Sequence, residues 1–140
     1  MNLSKIKINA DEKMQAGCNC CEAVYWSFLE SNGNHDLPEE DYKIASIFGG
    51  GIANSHDEIC GALTGALFIL STQKGRLSCA ENNDALMENG ARLREDFIKK
   101  IGPTKCSLLR KKIEKPDGEI NCREVVQKTI DLLSMIEIKA

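Results

Sequence analysis

Seven cysteines, at positions 18, 20, 21, 60, 79, 106 and 122, are the residues of this 140-residue chain with the most chemistry to offer. A thiolate attacks disulfides and binds metal ions; a protonated thiol does neither well. Four of the seven fall in the expected first turns of four helices: Cys20 after Asn19, Cys60 after Asp57, Cys106 after Thr104 and Cys122 after Asn121. A first turn carries unpaired backbone N–H groups and the positive end of the helix dipole, and both favour the thiolate. Between Lys99 and Lys115 the only acid among many cations is Glu114, and a cation aimed at Cys106 would lower its pKa further. Free cysteines also pack as small buried hydrophobes, so the pattern argues for the set and not for any single member. Cys79 follows a capping residue too, Ser78, and is assigned to packing.

Other candidate chemistry is thinner. Classical zinc-finger and ferredoxin spacings are missing and no thioredoxin-type active site is expected, so any cysteine site must be assembled by tertiary packing. Gly49-Gly50-Gly51 lacks the lysine-serine ending and the preceding strand of a phosphate cradle. It reads as a tight turn that lets the backbone pass close to the Cys60 helix. His56, four residues before Cys60, is placed as an accessory ligand or proton acceptor only if it turns inward; in its polar loop it reads as solvated, as does His35. The basic stretch from 99 to 115 reads as a solvated helix face, or else as a docking surface for an acidic electron-transfer partner.

The elements that must position these residues are helical. Asn9 with Glu12 predicts a capping box and a short helix over 10–16 that stops at Gly17. A second helix starts near Cys20 with Val24 and Phe28 on its stripe and ends at the Ser31-Asn32-Gly33-Asn34 cluster. Pro38 and the acids after it predict a helix over 38–47, closed by Phe48-Gly49-Gly50-Gly51. Asp57 is expected to cap a central helix over 58–71, where Gly61 and Gly65, one turn apart, invite close approach of a neighbour. Ser78 with Glu81 predicts the start of a helix that runs to about residue 100, and Gly102-Pro103 stops it. Thr104 caps a helix over 105–113, and Asn121 caps a last one whose stripe is Val125/Val126, Ile130, Leu133 and Ile136. The expected fold is an all-α, compact bundle of about five to seven helices, one redox domain over residues 1–140.

These residues resemble the C_GCAxxG_C_C family of small prokaryotic redox-active proteins. Gly17-Cys18-Asn19-Cys20-Cys21-Glu22-Ala23-Val24 is similar to the family's Gly-x-Asn-Cys-Ala-x-Ala-Val opening, which makes Cys20 its first cysteine. Phe48-Gly49-Gly50-Gly51 matches its FGGG stretch, and Cys60-Gly61-Ala62-Leu63-Thr64-Gly65 its CGAxxG core. Cys106 and Cys122 fit the last two cysteines by order and spacing. The chain departs from the pattern at Cys21, where the family commonly has alanine, and Cys18 adds a third thiol to that turn. The resemblance implies cysteines that cycle through disulfides or hold a metal or iron–sulfur centre.

Two functions follow as expectations. In one, helix-start thiolates exchange electrons with a partner, with Cys60 the first choice of essential thiol; four cysteines allow three pairings and the sequence does not choose. In the other, Cys20, Cys60, Cys106 and Cys122 ligate an iron–sulfur cluster, or less readily zinc, with Cys18 and Cys21 as substitute ligands. A third class is an interaction protein whose cysteines are merely buried. The expected partner is a redox protein or a small thiol or disulfide, with oligomeric state open. A net charge of −3 gives no reason to expect nucleic acid. The residues from Met1 to Ala10 show no secretory pattern, which places the protein in the cytoplasm. Ile59 to Leu70 is too short an apolar run to span a bilayer and reads as a core helix.

Overall fold

A computed structural model describes residues 2–31 and 37–136. Among them are seven α-helices: α1 Leu3–Gln15, α2 Cys20–Ser31, α3 Glu39–Lys43, α4 Gly61–Lys74, α5 Asp84–Lys100, α6 Cys106–Ile113 and α7 Cys122–Ser134, with a 3-10 turn at Ser46–Phe48. The strand-like pairing among these residues is an isolated antiparallel bridge between Ile59 and Lys105. The all-α bundle is therefore as expected. Among the described residues no helix is long and apolar enough to cross a membrane. The Asn32-Gly33-Asn34 cluster and His35 lie outside the described residues.

Helix α4 is apolar or small around its whole circumference, and such a helix is stable only when neighbours cover every side. It packs against α2, α5, α7 and the 3-10 turn, while α1 lies across α2 and α7. Leu63, Ala66 and Leu70 of α4 meet Val24 and Phe28 of α2, Leu93 and Phe97 of α5, and Val126, Ile130 and Leu133 of α7 in one core cluster. The expected stripes of α2 and α7 are thus the buried ones. Gly65 explains how closely α2 and α4 approach: a Cβ there would lie 2.8 Å from the Cys21 carbonyl oxygen.

Several helix starts differ from expectation, each for a local reason. Helix α1 begins at Leu3, capped by Asn2, whose side chain accepts from the Lys5 N–H at 3.2 Å. Asn9 is mid-helix and donates instead to Glu30 at 2.8 Å, which ties α1 to α2. Helix α3 is shorter than expected, because the chain tightens into the 3-10 turn before Gly49. Helix α4 starts after Cys60, which is itself the cap residue, so Asp57 caps nothing. Ser78 and Glu81 close a turn and not a helix: Leu77 N–H donates to Glu81 Oε2 at 3.1 Å and Ala80 N–H to Ser78 Oγ at 3.2 Å. Helix α5 follows only at Asp84, leaving Cys79 exposed in that turn. Helix α6 is preceded by Lys105, and neither it nor α7 has a side-chain cap.

Candidate functional site

The start of α2 is built by a reciprocal cap. Glu22 N–H donates to Asn19 Oδ1 at 2.8 Å, and Asn19 N–H donates to Glu22 Oε1 at 3.0 Å. The same two side chains reach the next segment: Asn19 Nδ2 donates to the Ser46 carbonyl at 3.0 Å, and Ser46 Oγ donates to Glu22 Oε2 at 3.1 Å. The cap that starts α2 at Cys20 therefore also anchors the chain leading into the triple glycine.

After Gly49 the chain makes a left-handed turn. Gly50, Gly51, Ile52, Ala53 and Asn54 all have φ between +52° and +67°. The turn is closed by Ala53 N–H to the Ile47 carbonyl at 2.7 Å and His56 N–H to the Gly50 carbonyl at 2.9 Å. Left-handed backbone costs roughly 1–2 kcal/mol for each residue with a Cβ, so this segment is held by its surroundings. Its result is to aim the Gly50 N–H at the Cys20 sulfur. Gly51 lies so near α6 that a Cβ there would sit 2.5 Å from the Cys106 Cβ.

The isolated bridge then sets two cysteines side by side. Cys60 N–H donates to the Thr104 carbonyl at 2.7 Å, and Cys106 N–H to the Glu58 carbonyl at 2.8 Å. Helices α4 and α6 thus leave from the same two-stranded clamp, each with its cysteine at the start. Gly61 lets α2 approach there, since a Cβ would fall 2.5 Å from the Cys20 sulfur. Cys122 joins from the start of α7, where Arg110 donates to its sulfur at 3.9 Å. Cys20, Cys60, Cys106 and Cys122 consequently line one cavity of about 40 Å³, together with Gly50, Leu109, Arg110, Ile113 and Val125. A larger hollow of about 470 Å³, where α1 and α2 meet, contains no cysteine.

The four thiols are not alike. The neighbouring Cys60 thiol, with the backbone N–H groups of Gly50 and Cys21, outweighs burial and holds Cys20 at about 6 against an ordinary 9.0. Cys60, through its interaction with Cys20 and its burial, is pushed up; the Ala62 and Leu63 N–H groups offset this only in part. Burial, followed by the charge on Cys20, raises Cys106 and Cys122, with Arg110 opposing. The four helix starts are therefore not equivalent: Cys20 alone is lowered, while burial first and the charge on Cys20 second hold Cys106 and Cys122 up. Nor does the basic stretch depress Cys106: its lysines are exposed, and Arg110 alone of that stretch lines the cavity. Arg110 was counted in the sequence with a solvated face; its position four residues after Cys106, on the same helix face, was the signal that could have singled it out.

The remaining candidates lie elsewhere. Cys18 and Cys21 do stand at Cys-x-x-Cys spacing, which the expectation of no thioredoxin-type site passed over, but neither lines the cavity. Cys21 is fully buried in the core and pushed up by burial, and Cys18, half-buried, is raised by burial and by Glu22. His56 is half-buried and is not a lining residue.

Residues 18–136 match the family model described as "Putative redox-active protein (C_GCAxxG_C_C)". The chain belongs to this family. No curated protein and no solved structure matches it. The C_GCAxxG_C_C glycines acquire a common physical role in this geometry: Gly51, Gly61 and Gly65 each occupy a place where a Cβ would push a cysteine-bearing segment away. A thiolate hydrogen-bonded to a thiol is chemically an attacking and a resolving group in contact. Four thiolates are also a donor set for an iron–sulfur cluster or zinc. Among the described residues, however, no three cysteine, histidine, aspartate or glutamate side chains converge to hold a metal ion. As packed, the four sulfurs do not fit such a centre.

Proposed function

We propose that this redox protein works by thiol–disulfide exchange, with Cys20 as the attacking thiolate and Cys60 as the resolving thiol. The observation that carries the reading is that Cys20 and Cys60 line one small cavity, with the Cys20 sulfur packed against Gly61, the residue next to Cys60. Cys20 attacks a disulfide, forms a mixed disulfide and releases one thiolate. Cys60 then attacks the Cys20 sulfur, closes a Cys20–Cys60 disulfide and releases the second. Two electrons pass to the substrate, whose two sulfurs leave as thiolates; one takes the Cys60 proton and the other is protonated from solvent. An external dithiol, protein or small molecule, returns the electrons. Cys106 and Cys122 border the same cavity, which supports a role for them as a second pair that takes over the disulfide. In this reading the chain is one domain acting in a reducing cytoplasm, where a buried disulfide is transient and catalytic. Cys18 and Cys21 take no part.

The test is to purify the protein without oxygen, count thiols before and after reduction, map any disulfide by peptide mass, and measure iron, sulfide and zinc. The expected result is a colourless protein that forms a Cys20–Cys60 disulfide on mild oxidation and regains two thiols on reduction. A coloured protein with stoichiometric iron and sulfide would overturn it in favour of the second reading, a cluster on Cys20, Cys60, Cys106 and Cys122. The shared cavity supports that second reading, which requires the side chains to repack.

A further inference from the structure

Resting on the Cys20–Cys60 reading, we propose that the substrate is a small sulfane-sulfur compound, an inorganic polysulfide or low-molecular-weight persulfide, whose outer sulfur is transferred to Cys20 within the cavity and faces Arg110. Three observations carry this.

The first is size. A water molecule needs roughly 10–15 Å³ of such space, so a cavity of about 40 Å³ admits one or a few single atoms beyond the thiols themselves. An added sulfur atom is of that scale. An organic disulfide brings carbon on both sides of its sulfurs, against walls made by Leu109, Ile113 and Val125. The second is charge. Arg110 is the cavity's one cationic lining residue, and no ion pair of the described residues engages it; its side-chain bond is the long one to Cys122. A guanidinium set among thiols without a carboxylate suits a small anion, and a persulfide or hydrosulfide carries its charge on the terminal sulfur. The third is the arrangement of the pair: Cys60 lines the same cavity as Cys20, whose sulfur lies against the adjoining Gly61.

The chemistry balances in two steps. The Cys20 thiolate attacks the outer sulfur of R–S–SH; the donor's S–S bond breaks, Cys20–S–SH forms and RS⁻ departs, with no net change in electron count. Cys60 then attacks the Cys20 sulfur. The bond to the added sulfur breaks, the Cys20–Cys60 disulfide forms, and the sulfur leaves as hydrosulfide, which takes up the Cys60 proton as H₂S. The sulfane sulfur gains the two electrons that the dithiol loses, and an external dithiol reduces the protein again.

The test uses the full chain, reduced under argon, with inorganic polysulfide in one arm and bis(2-hydroxyethyl) disulfide in the other. With polysulfide, Cys60→Ser should gain the mass of one sulfur at Cys20, whereas the wild type should release sulfide and end as the Cys20–Cys60 disulfide. Arg110→Gln should slow the polysulfide reaction on the order of 100-fold and the organic disulfide reaction far less, with Arg110→Lys in between and helicity by circular dichroism intact. If Cys60→Ser gains no sulfur, if the wild type prefers the organic disulfide, or if Arg110→Gln slows both arms alike, the sulfane proposal is wrong while dithiol exchange stands. If neither reagent produces the Cys20–Cys60 disulfide, the reading beneath it falls as well.

Discussion

At pH 7 a thiol held at about 6 is mostly ionised, whereas one at the ordinary 9.0 is almost wholly protonated. This difference makes Cys20, and not Cys60, the expected nucleophile, and it gives two measurable consequences. The rate at which iodoacetamide labels Cys20 should rise with pH through a midpoint near 6 and then level off. Replacing Cys60 by alanine removes the neighbouring thiol that lowers Cys20, so the midpoint should move up toward the ordinary thiol range; an unchanged midpoint would show that the backbone N–H groups alone hold the thiolate. Stability follows from the same shift. The unfolded chain keeps the Cys20 proton up to 9.0, while the folded chain gives it up near 6, so the unfolded state binds more protons in between. This contribution is full above about 9 and is lost as pH falls through about 6. The other shifted cysteines, Cys18, Cys21, Cys60, Cys106 and Cys122, are all raised, so below 9.0 they stay protonated in both states and add no slope. The urea midpoint of the reduced protein should therefore climb between pH about 6 and about 8 more steeply than that of Cys20→Ser.

Helices α2 and α4 meet across two glycines with different duties. At Gly65 a methyl group would press on the Cys21 carbonyl oxygen at 2.8 Å, which is backbone and cannot swing aside. Gly65→Ala should cost about 1–3 kcal/mol in urea denaturation. At Gly61 the methyl would meet the Cys20 sulfur itself. Gly61→Ala should therefore raise the Cys20 labelling midpoint by parting the two sulfurs, a readout that a purely structural glycine would leave alone. The left-handed turn yields the opposite sign. Ala53 is exposed and held at φ +52°, so its methyl group has strain and little packing. Ala53→Gly relieves roughly 1–2 kcal/mol of that strain against the ~0.5–1 kcal/mol entropic cost of glycine. It should stabilise the protein by up to about 1 kcal/mol.

For the molecule as a whole, one core cluster joins α1, α2, α4, α5 and α7, and the cavity is roofed by segments that all rest on it. Ion pairs between α1 and α7, Lys7 with Asp131 at 3.0 Å and Arg123 Nε with Asp11 Oδ1 at 2.7 Å, lie at the partly exposed rim and are expected to add little. A shared core predicts that Trp26 fluorescence and far-ultraviolet circular dichroism report the same unfolding transition. Two separated transitions would mean that the chain is not one cooperative domain. Phe97, fully buried where α5 meets the core, lies far along the chain from Cys20 and Cys60. Phe97→Ala should cost about 3–5 kcal/mol while leaving the Cys20 labelling midpoint in place under native conditions.

Local pattern was enough to read the helices and the stripes they bury, because periodicity and turn residues act within a few positions of themselves. Leu63 and Leu70, Val126 and Ile130, and the stops at Gly17 and Gly102-Pro103 were legible for that reason. The family motif likewise picked out Cys20, Cys60, Cys106 and Cys122 as the set that the fold gathers round one cavity. Helix starts were harder, since Asn9, Asp57 and Ser78 are each good caps and the choice among competing caps depended on what else those side chains could reach. Which thiol is ionised was beyond local reading altogether. The lowered pKa of Cys20 comes from the Cys60 thiol at the start of α4 and the Gly50 backbone of the left-handed turn, and Arg110 enters the cavity because the Ile59–Lys105 bridge docks α6 beside α4. Those groups are distant in sequence, and electrostatic interaction falls off with spatial separation, so packing alone assigned their charges.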